Sequence, residues 1–333
     1  MESKNQKYLL KFSNIGAING SKNGCIFDFF RKKIYTVPNE LVNVLKIKKI
    51  TVQQFKDYFS DENVFESYYN FLQKNEIIFT TENPERFPDI SLDYERPHLA
   101  DLLYLEIDLF QDFKLNFLKT NIEDIGITHL ILITRDLKHN SIFEYVSKIT
   151  NILKNSKVQH ISLFINHNDS LGSNIFDVYF NLDDRIRNII VYNSSNEYES
   201  TNENVIFEKT DLKSLFKRKI ISVADFDVDF YSFIEANNRN LFYNRKLYID
   251  NHGNITYNIN CDEKFINIEN YDLDELKKTS YFKLWHITKD QINECKDCKF
   301  RYVCPDTRIP ILKNDEYYHI DKCNYSPYED KWK

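Results

Sequence analysis

Four of the six cysteines in this 333-residue chain crowd into 29 residues near its end, and their spacing limits what that region can fold around. They stand as Cys295-Lys-Asp-Cys298-Lys-Phe-Arg-Tyr-Val-Cys304 and, after eighteen more residues, Cys323. Cys295 and Cys298 can grip one metal from a tight turn, and Cys304 and Cys323 can close the shell. Thiolates are the preferred ligands of iron–sulfur clusters and of structural zinc, and both want four. Lys296, Lys299, Arg301 and Arg308 surround the thiols and would offset thiolate charge without choosing the metal. His286 and His319 stand nearby as substitute ligands or outer donors. Cys25 reads as a buried strand thiol, and Cys261 as a buried thiol or remnant ligand.

The rival reading, two disulfides, depends on the compartment. Residues 1–11 are polar and lack the apolar core and cleavage site of a secretory signal. The longest apolar runs are strand-sized, far below the roughly 20 residues that span a bilayer. A cytoplasmic protein without a membrane partner is therefore expected, and in a reducing compartment clustered cysteines are ligands. The net charge is only −6 and no basic block is long enough for a nucleic-acid footprint. With 26 Phe and 22 Tyr against 6 Gly and 7 Pro, the chain reads as densely packed. Its length admits two or three domains. We divide it as residues 1–92, 93–235 and 236–333.

In the first segment, Tyr8–Ser13, Cys25–Phe30 and Lys33–Val37 are β-rich and predict a three-stranded meander. Pro38 opens a helical run through Leu45, Thr51 caps Val52–Tyr58, and Asp61 or Asn63 caps a helix through Lys74. Ile77–Thr80 adds a last strand, and Asn83–Pro88 reads as a linker. Strands followed by three short helices predict a winged-helix-like module. It is either a stabilising domain or a site where a strand edge, or the groove beside the third helix, captures an extended peptide.

The middle segment alternates. Leu102–Ile107, His129–Thr134, Val158–Ile165 and Arg187–Tyr192 are apolar strands; Leu115–Ile125, Ile142–Leu153 and Asn174–Leu182 are helices, the first ended by Gly126. Strands apolar on both faces with helices between them predict a parallel sheet of βα units, a partial or open barrel. Working groups of such a sheet lie after the strand C-termini. Here those positions hold Asp108, Gln111 and Asp112, then Arg135 and Asp136, then Asn166, His167 and Asp169. None builds a glycine-rich phosphate cradle or a nucleophile–base pair, so they read as polar groups solvating strand ends. In the last segment Leu241–Ile249 and Asn254–Asn258 flank Asn251-His252-Gly253 as a hairpin, and a helix runs from about Tyr271 to Lys278.

The Cys-x2-Cys-x5-Cys run with its later cysteine, preceded by the Asn244–Asp250 to Gly253–Ile255 hairpin, resembles the SPASM domain that follows radical SAM enzymes acting on ribosomal peptides. Nearly the whole chain resembles the SPASM-domain peptide maturases of grasp-with-spasm systems. Leu10-Lys-Phe-Ser13, Lys33-Ile-Tyr-Thr-Val-Pro-Asn39, Asn83-Pro-Glu-Arg-Phe-Pro88, the hairpin, and Lys289 through Arg308 carry that likeness. It implies a leader-peptide recognition module in residues 1–92, a degenerate radical-SAM-like barrel, and a SPASM-like module with one 4Fe–4S cluster on Cys295, Cys298, Cys304 and Cys323. It also implies an ATP-grasp ligase as partner.

Two departures bear on function. Arg308 stands where a further cysteine is expected, which leaves no ligand set for a second cluster. The first barrel strand is followed by Asp108-Leu-Phe-Gln-Asp-Phe-Lys114, and no cysteine lies between Cys25 and Cys261. The three thiolates that bind the cluster for S-adenosylmethionine cleavage are therefore missing, and neither that cofactor nor radical chemistry is expected. The resulting expectation is a non-radical maturation partner that binds the precursor leader beside the ligase. The alternatives are an iron–sulfur redox enzyme that modifies the peptide or passes electrons on, and a zinc-stabilised interaction protein.

Overall fold

The computed structural model describes residues 6–108, 111–135, 139–167, 176–194, 202–217 and 220–333. Asp136 and Asp169 lie outside them. The chain divides into two compact units, each discontinuous in sequence: residues 1–94, 219–242 and 287–333 in the first, and 95–218 and 243–286 in the second.

The first unit opens with β1 (Tyr8–Lys11), β2 (Ile15–Ile18), β3 (Gly24–Asp28) and β4 (Lys33–Val37). The three-stranded meander is there, but its first strand is β2 and not Tyr8–Ser13. The chain turns at Phe12, whose carbonyl accepts from the Ile15 amide. Ile15-Gly-Ala-Ile18 hides its strand character behind two small residues, and Gly16 is needed there because a Cβ would lie 2.9 Å from the Phe29 ring. β1 belongs to a second sheet, between β5 (Ile50–Thr51) and β6 (Ile78–Thr81). Between these strands run α1 (Asn39–Leu45), α2 (Val52–Tyr58) and α3 (Glu62–Lys74). Thr51 caps α2 in a reciprocal box with Gln54, and Asp61 caps α3. Leu9, Val42, Phe55 and Leu72 form the core beneath them. Residues 83–88 are fastened and not a free linker: Pro84 is buried and Phe87 packs edge-on to Phe79.

The second unit is a mixed α/β layer around a parallel sheet. Its elements are β7 (Leu102–Ile107), α4 (Asp112–Ile125), β8 (His129–Thr134), α5 (His139–Ile152), β9 (His160–Asn166), α6 (Asp177–Leu182), β10 (Ile186–Tyr192), β11 (Val205–Phe207) and α7 (Leu212–Leu215). After α8 (Phe230–Asn238), which belongs to the first unit, the hairpin of β12 (Lys246–Ile249) and β13 (Ile255–Thr256) completes the sheet. Strand order is β11-β10-β9-β8-β7-β12-β13, open at both ends, with β13 alone antiparallel. The crossovers from β7 through β10 each return a helix to the sheet, and Leu103, Leu105, Leu132 and Leu163 are fully buried on one face. Each such side chain contributes about 1.5–3 kcal/mol. Gly126 ends α4 in the left-handed region at φ 90°. α9 (Leu273–Lys278) follows, capped by Asp272.

The last 47 residues return to the first unit as turns and two short hairpins, β14 (Ile311–Lys313) with β15 (Glu316–Tyr318) and β16 (Tyr325–Ser326) with β17 (Lys331–Trp332). Phe300, Tyr302, Val303 and Tyr325 complete a core with Ile18, Cys25, Phe27 and Phe29 of the meander and Phe233 of α8. Among the described residues no helix is long and apolar enough to cross a membrane.

Candidate metal centre

The cysteine loop is shaped by local hydrogen bonds. Thr288 and Gln291 form a reciprocal cap on the turn Lys289–Gln291, and the Lys296 amide then bonds the Ile292 carbonyl at 2.9 Å. Glu294 takes φ 62°, a backbone conformation costing a non-glycine residue about 1–3 kcal/mol. That bend leads directly into Cys295. The Cys298 amide bonds the Cys295 carbonyl at 3.0 Å, closing the Cys-x2-Cys turn, and the Phe300 amide donates to Cys298 Sγ at 3.4 Å. The β14–β15 hairpin turns through Asn314 and Asp315, both at positive φ, and the Asn293 amide bonds the Tyr317 carbonyl. The chain then reaches Cys323.

All six cysteines are free thiols. Cys298 lies within electrostatic range of Cys295, Cys304 and Cys323, and Cys295 and Cys304 each feel Cys323. Burial pushes the thiols of Cys295, Cys298 and Cys304 up, Cys304 to about 12; Lys289 opposes this at Cys295 and Cys304, while neighbouring sulfurs add to it. Cys25 is likewise pushed up to about 12 by burial, and Cys261 falls in the second unit.

Beside the thiols sits a buried charge cluster centred on Asp306. Lys289 Nζ reaches its Oδ2 at 2.9 Å, and Arg308 donates to both carboxylate oxygens at 2.7–3.1 Å. Burial opposes ionisation of Asp306, but these two cations win and hold it far below the usual carboxylate range. His319 Nε2 lies 3.3 Å from Asp306 Oδ2. Burial pushes the imidazole down to about 4 against the pull of Asp306, with the two neighbouring cations adding to the effect, so it is neutral at pH 7. Cys295, Asp306 and His319 place ligand atoms within 4.8 Å of one another. As a cation site that trio is poor, because the Asp306 oxygens are already taken by two positive groups.

Among the described residues the four thiols are not drawn together to that distance, but as a donor set they suit a metal better. Lys289 and Asp306 are buried, Arg308 is 22% exposed, and together they leave one positive charge in excess. Burying uncompensated charge costs several kcal/mol. Both Lys289 and Arg308 face thiols, Lys289 those of Cys295 and Cys304, Arg308 those of Cys295 and Cys323. A thiolate centre supplies the missing negative charge; four neutral thiols do not. Arg308 therefore has a role of its own, and Asp306, which the cysteine pattern does not reveal, keys the cluster.

The strand-end groups of the second unit have separate fates. Asp108 lies 3.5 Å from the Asn251 amide nitrogen, Asn166 accepts from Asn193, and the His167 amide bonds the Tyr192 carbonyl. Gln111 precedes α4 without capping it, and Asp112 is exposed in its first turn. Arg135 instead pairs with Glu106, a residue the strand-end reading passes over. Glu106 also accepts from the Tyr248 hydroxyl. Nearby, Lys114 is completely buried and donates to the carbonyls of Glu106 (2.6 Å) and Asn251 (2.9 Å). Burial pushes it down to about 8 against the pull of Glu106, Asp250 and Asp108. The sequence signal was present: Glu106 is a charge inside the apolar strand Leu102–Ile107.

No family model and no curated protein matches this chain. Among solved structures it is similar to SuiB of Streptococcus suis bound to S-adenosylmethionine, at 11% identity and TM-score 0.34, covering 89% of this chain and 94% of that one. A second SuiB structure aligns over the same shares at 11% identity and TM-score 0.31.

Proposed function

We propose that this chain is a non-radical component of a precursor-peptide maturation system, holding one metal centre on Cys295, Cys298, Cys304 and Cys323. The observation that carries the metal reading is the excess positive charge of Lys289, Asp306 and the partly exposed Arg308 against four free thiols. Four thiolates fill a tetrahedral shell, so a bound 4Fe–4S cluster or zinc ion would stiffen the loop and, if iron–sulfur, carry an electron. No open ligand position would remain for substrate. The maturation reading rests on the SPASM-like cysteine and hairpin pattern. The first barrel loop lacks the thiols that radical cleavage needs.

In this reading the N-terminal strands and helices bind an extended leader peptide, and an ATP-grasp ligase acts on the held precursor. The metal loop and the meander belong to one core. Lys299 Nζ reaches Thr36 Oγ1 at 3.1 Å, Arg301 donates to the Asn19 carbonyl at 2.8 Å, and the Ser21 amide donates to the Asp297 carbonyl at 2.8 Å. Loss of the metal should therefore loosen the peptide-binding side.

The test is anaerobic purification of the full chain, followed by iron, sulfide and zinc analysis and titration with a fluorescently labelled leader peptide. One cluster per chain and saturable binding support the proposal. One zinc with saturable binding keeps the scaffold role and removes electron transfer. No metal, or no peptide binding by metal-loaded protein, overturns it.

A further inference from the structure

The two faces of the parallel sheet are unlike. One is sealed by helices. On the other, the register aligns Tyr104 with Ile131 on β8 and Tyr248 on β12, and Tyr104, Ile131 and Phe164 stay half-buried. Tyr248 stacks on Tyr104 with ring centres 5.8 Å apart, and Phe216 meets both edge-on. Among the described residues this aromatic surface is met by Leu212, Leu215 and Phe216 at α7 and by Ile259.

At the C-terminal end of the same face stand Glu106 and Arg135. Both Glu106 oxygens are committed, Oε1 to the Tyr248 hydroxyl and Oε2 to Arg135 Nε at 2.7 Å. Glu106 is 1% exposed, and with one contact to each oxygen it faces Arg135 as a buried partner. Arg135 uses only Nε in this pair, and its Nη1 and Nη2 have no partner among the described residues. Its side chain is 37% exposed. A guanidinium clamped at Nε has its plane fixed, and its Nη edge matches a carboxylate bidentately. Had the pair existed only to neutralise Glu106, the arginine could have been buried with it.

We propose that Arg135 is a carboxylate-binding group beside this aromatic surface. The ligand is a peptide carboxylate with an apolar or aromatic neighbour. Position agrees, since open α/β sheets bind ligands beyond the carboxyl ends of their strands. Charge selects the ligand. Arg135, Lys114 and Lys264 balance Glu106, Asp108 and Asp250, so the neighbourhood accepts one added negative charge more readily than the two of a phosphate. The ligand carboxylate is a terminal one or an acidic side chain, and the two are separable. The proposal is independent of the metal centre.

The test uses the full chain and three probes in calorimetric titrations: N-acetylphenylalanine, with a terminal carboxylate; N-acetylglutamylphenylalaninamide, with only a side-chain carboxylate; and N-acetylphenylalaninamide, with none. At least one carboxylate probe should bind ten-fold or more tighter than the amide, and which one identifies the source. Arg135→Gln should lose that preference. Arg135→Lys should lose most of it, because it keeps the charge without the fork. If Arg135→Gln does not fold, the comparison of acid and amide on the unaltered chain still decides. Equal binding of acid and amide, no binding of any probe, or full binding by Arg135→Gln overturns the proposal.

Discussion

Replacing Asp306 by Asn tests whether the four thiols are metal-bound thiolates. Asn keeps the shape but removes the charge that joins Lys289 and Arg308. At an effective dielectric of about 20, one unit pair at 2.9 Å is worth about 6 kcal/mol before desolvation, and stranding a buried ion costs about 3–5 kcal/mol net. The cost depends on what the cations face. With neutral thiols the set of Lys289, Arg308 and Asp306 sums to +1, and Asp306→Asn makes it +2. With a centre of four thiolates around zinc, or around a 2+ iron–sulfur core, the total is −2 + 1 = −1, and the substitution brings it to 0. The penalty should therefore approach about 3–5 kcal/mol in metal-stripped protein and fall below half of that in loaded protein. Urea unfolding of both forms, followed by tryptophan fluorescence, reads the two values. An equal penalty in both forms would refute the thiolate reading.

Other outcomes follow from groups outside the metal loop. Lys114 has its folded pKa lowered to about 8 from an unfolded 10.5, so the unfolded state binds more protons between those values and stability rises with pH across that window. At about 1.4 kcal/mol per unit the gain is at most about 3 kcal/mol, and Lys114→Met should flatten this limb in urea midpoints taken from pH 7.5 to 9.5. Gly126→Ala puts a Cβ 2.2 Å from His98 Cβ at φ 90°, so where an unstrained exchange would gain about 0.4–1 kcal/mol, the unfolding free energy from urea titration should instead fall by more than about 1 kcal/mol. Cys25 is fully buried with its thiol pushed up to about 12, so iodoacetamide should label it only after unfolding, as peptide mass mapping will show. A fragment of residues 1–94 strands Ile18, Phe27 and Phe29 without Phe233, Phe300 and Tyr302, and should show no cooperative thermal transition by circular dichroism.

Much of the sheet was legible because parallel strands buried on both faces leave continuous apolar runs. Leu102–Ile107 and His129–Thr134 read directly and are strands with those bounds. Helix starts were legible where a side chain does the capping, as at Thr51 and Asp61. Three things were not. Ile15–Ile18 carries too little side chain for a β pattern. The partners of β1 are decided by tertiary packing some 40 and 70 residues away, which local pattern does not encode. Glu106 and Tyr248 lie 142 residues apart and meet only because the β12 hairpin adds to the free edge of β7. At the metal loop the spacing pointed to the thiols, whereas the role of Asp306 needed the fold.

That the first unit is assembled from three chain segments has a physical consequence for the loop it contains. A stretch built of turns cannot bury much surface by its own contacts, and residues 287–333 hold only short strands and 3-10 turns. Their order comes from two sources. One is the core that Phe300, Tyr302, Val303 and Tyr325 share with the meander and α8. The other is the polar seam in which Lys299 joins Thr36 to Asp330 while Asp330 also accepts from Asn23. A metal on the four thiols would be a third. Binding that favours the ordered loop stabilises whatever shares its core, and by linkage the reverse holds equally. The meander and the cysteine loop are therefore expected to gain or lose order together, whichever metal occupies the thiols.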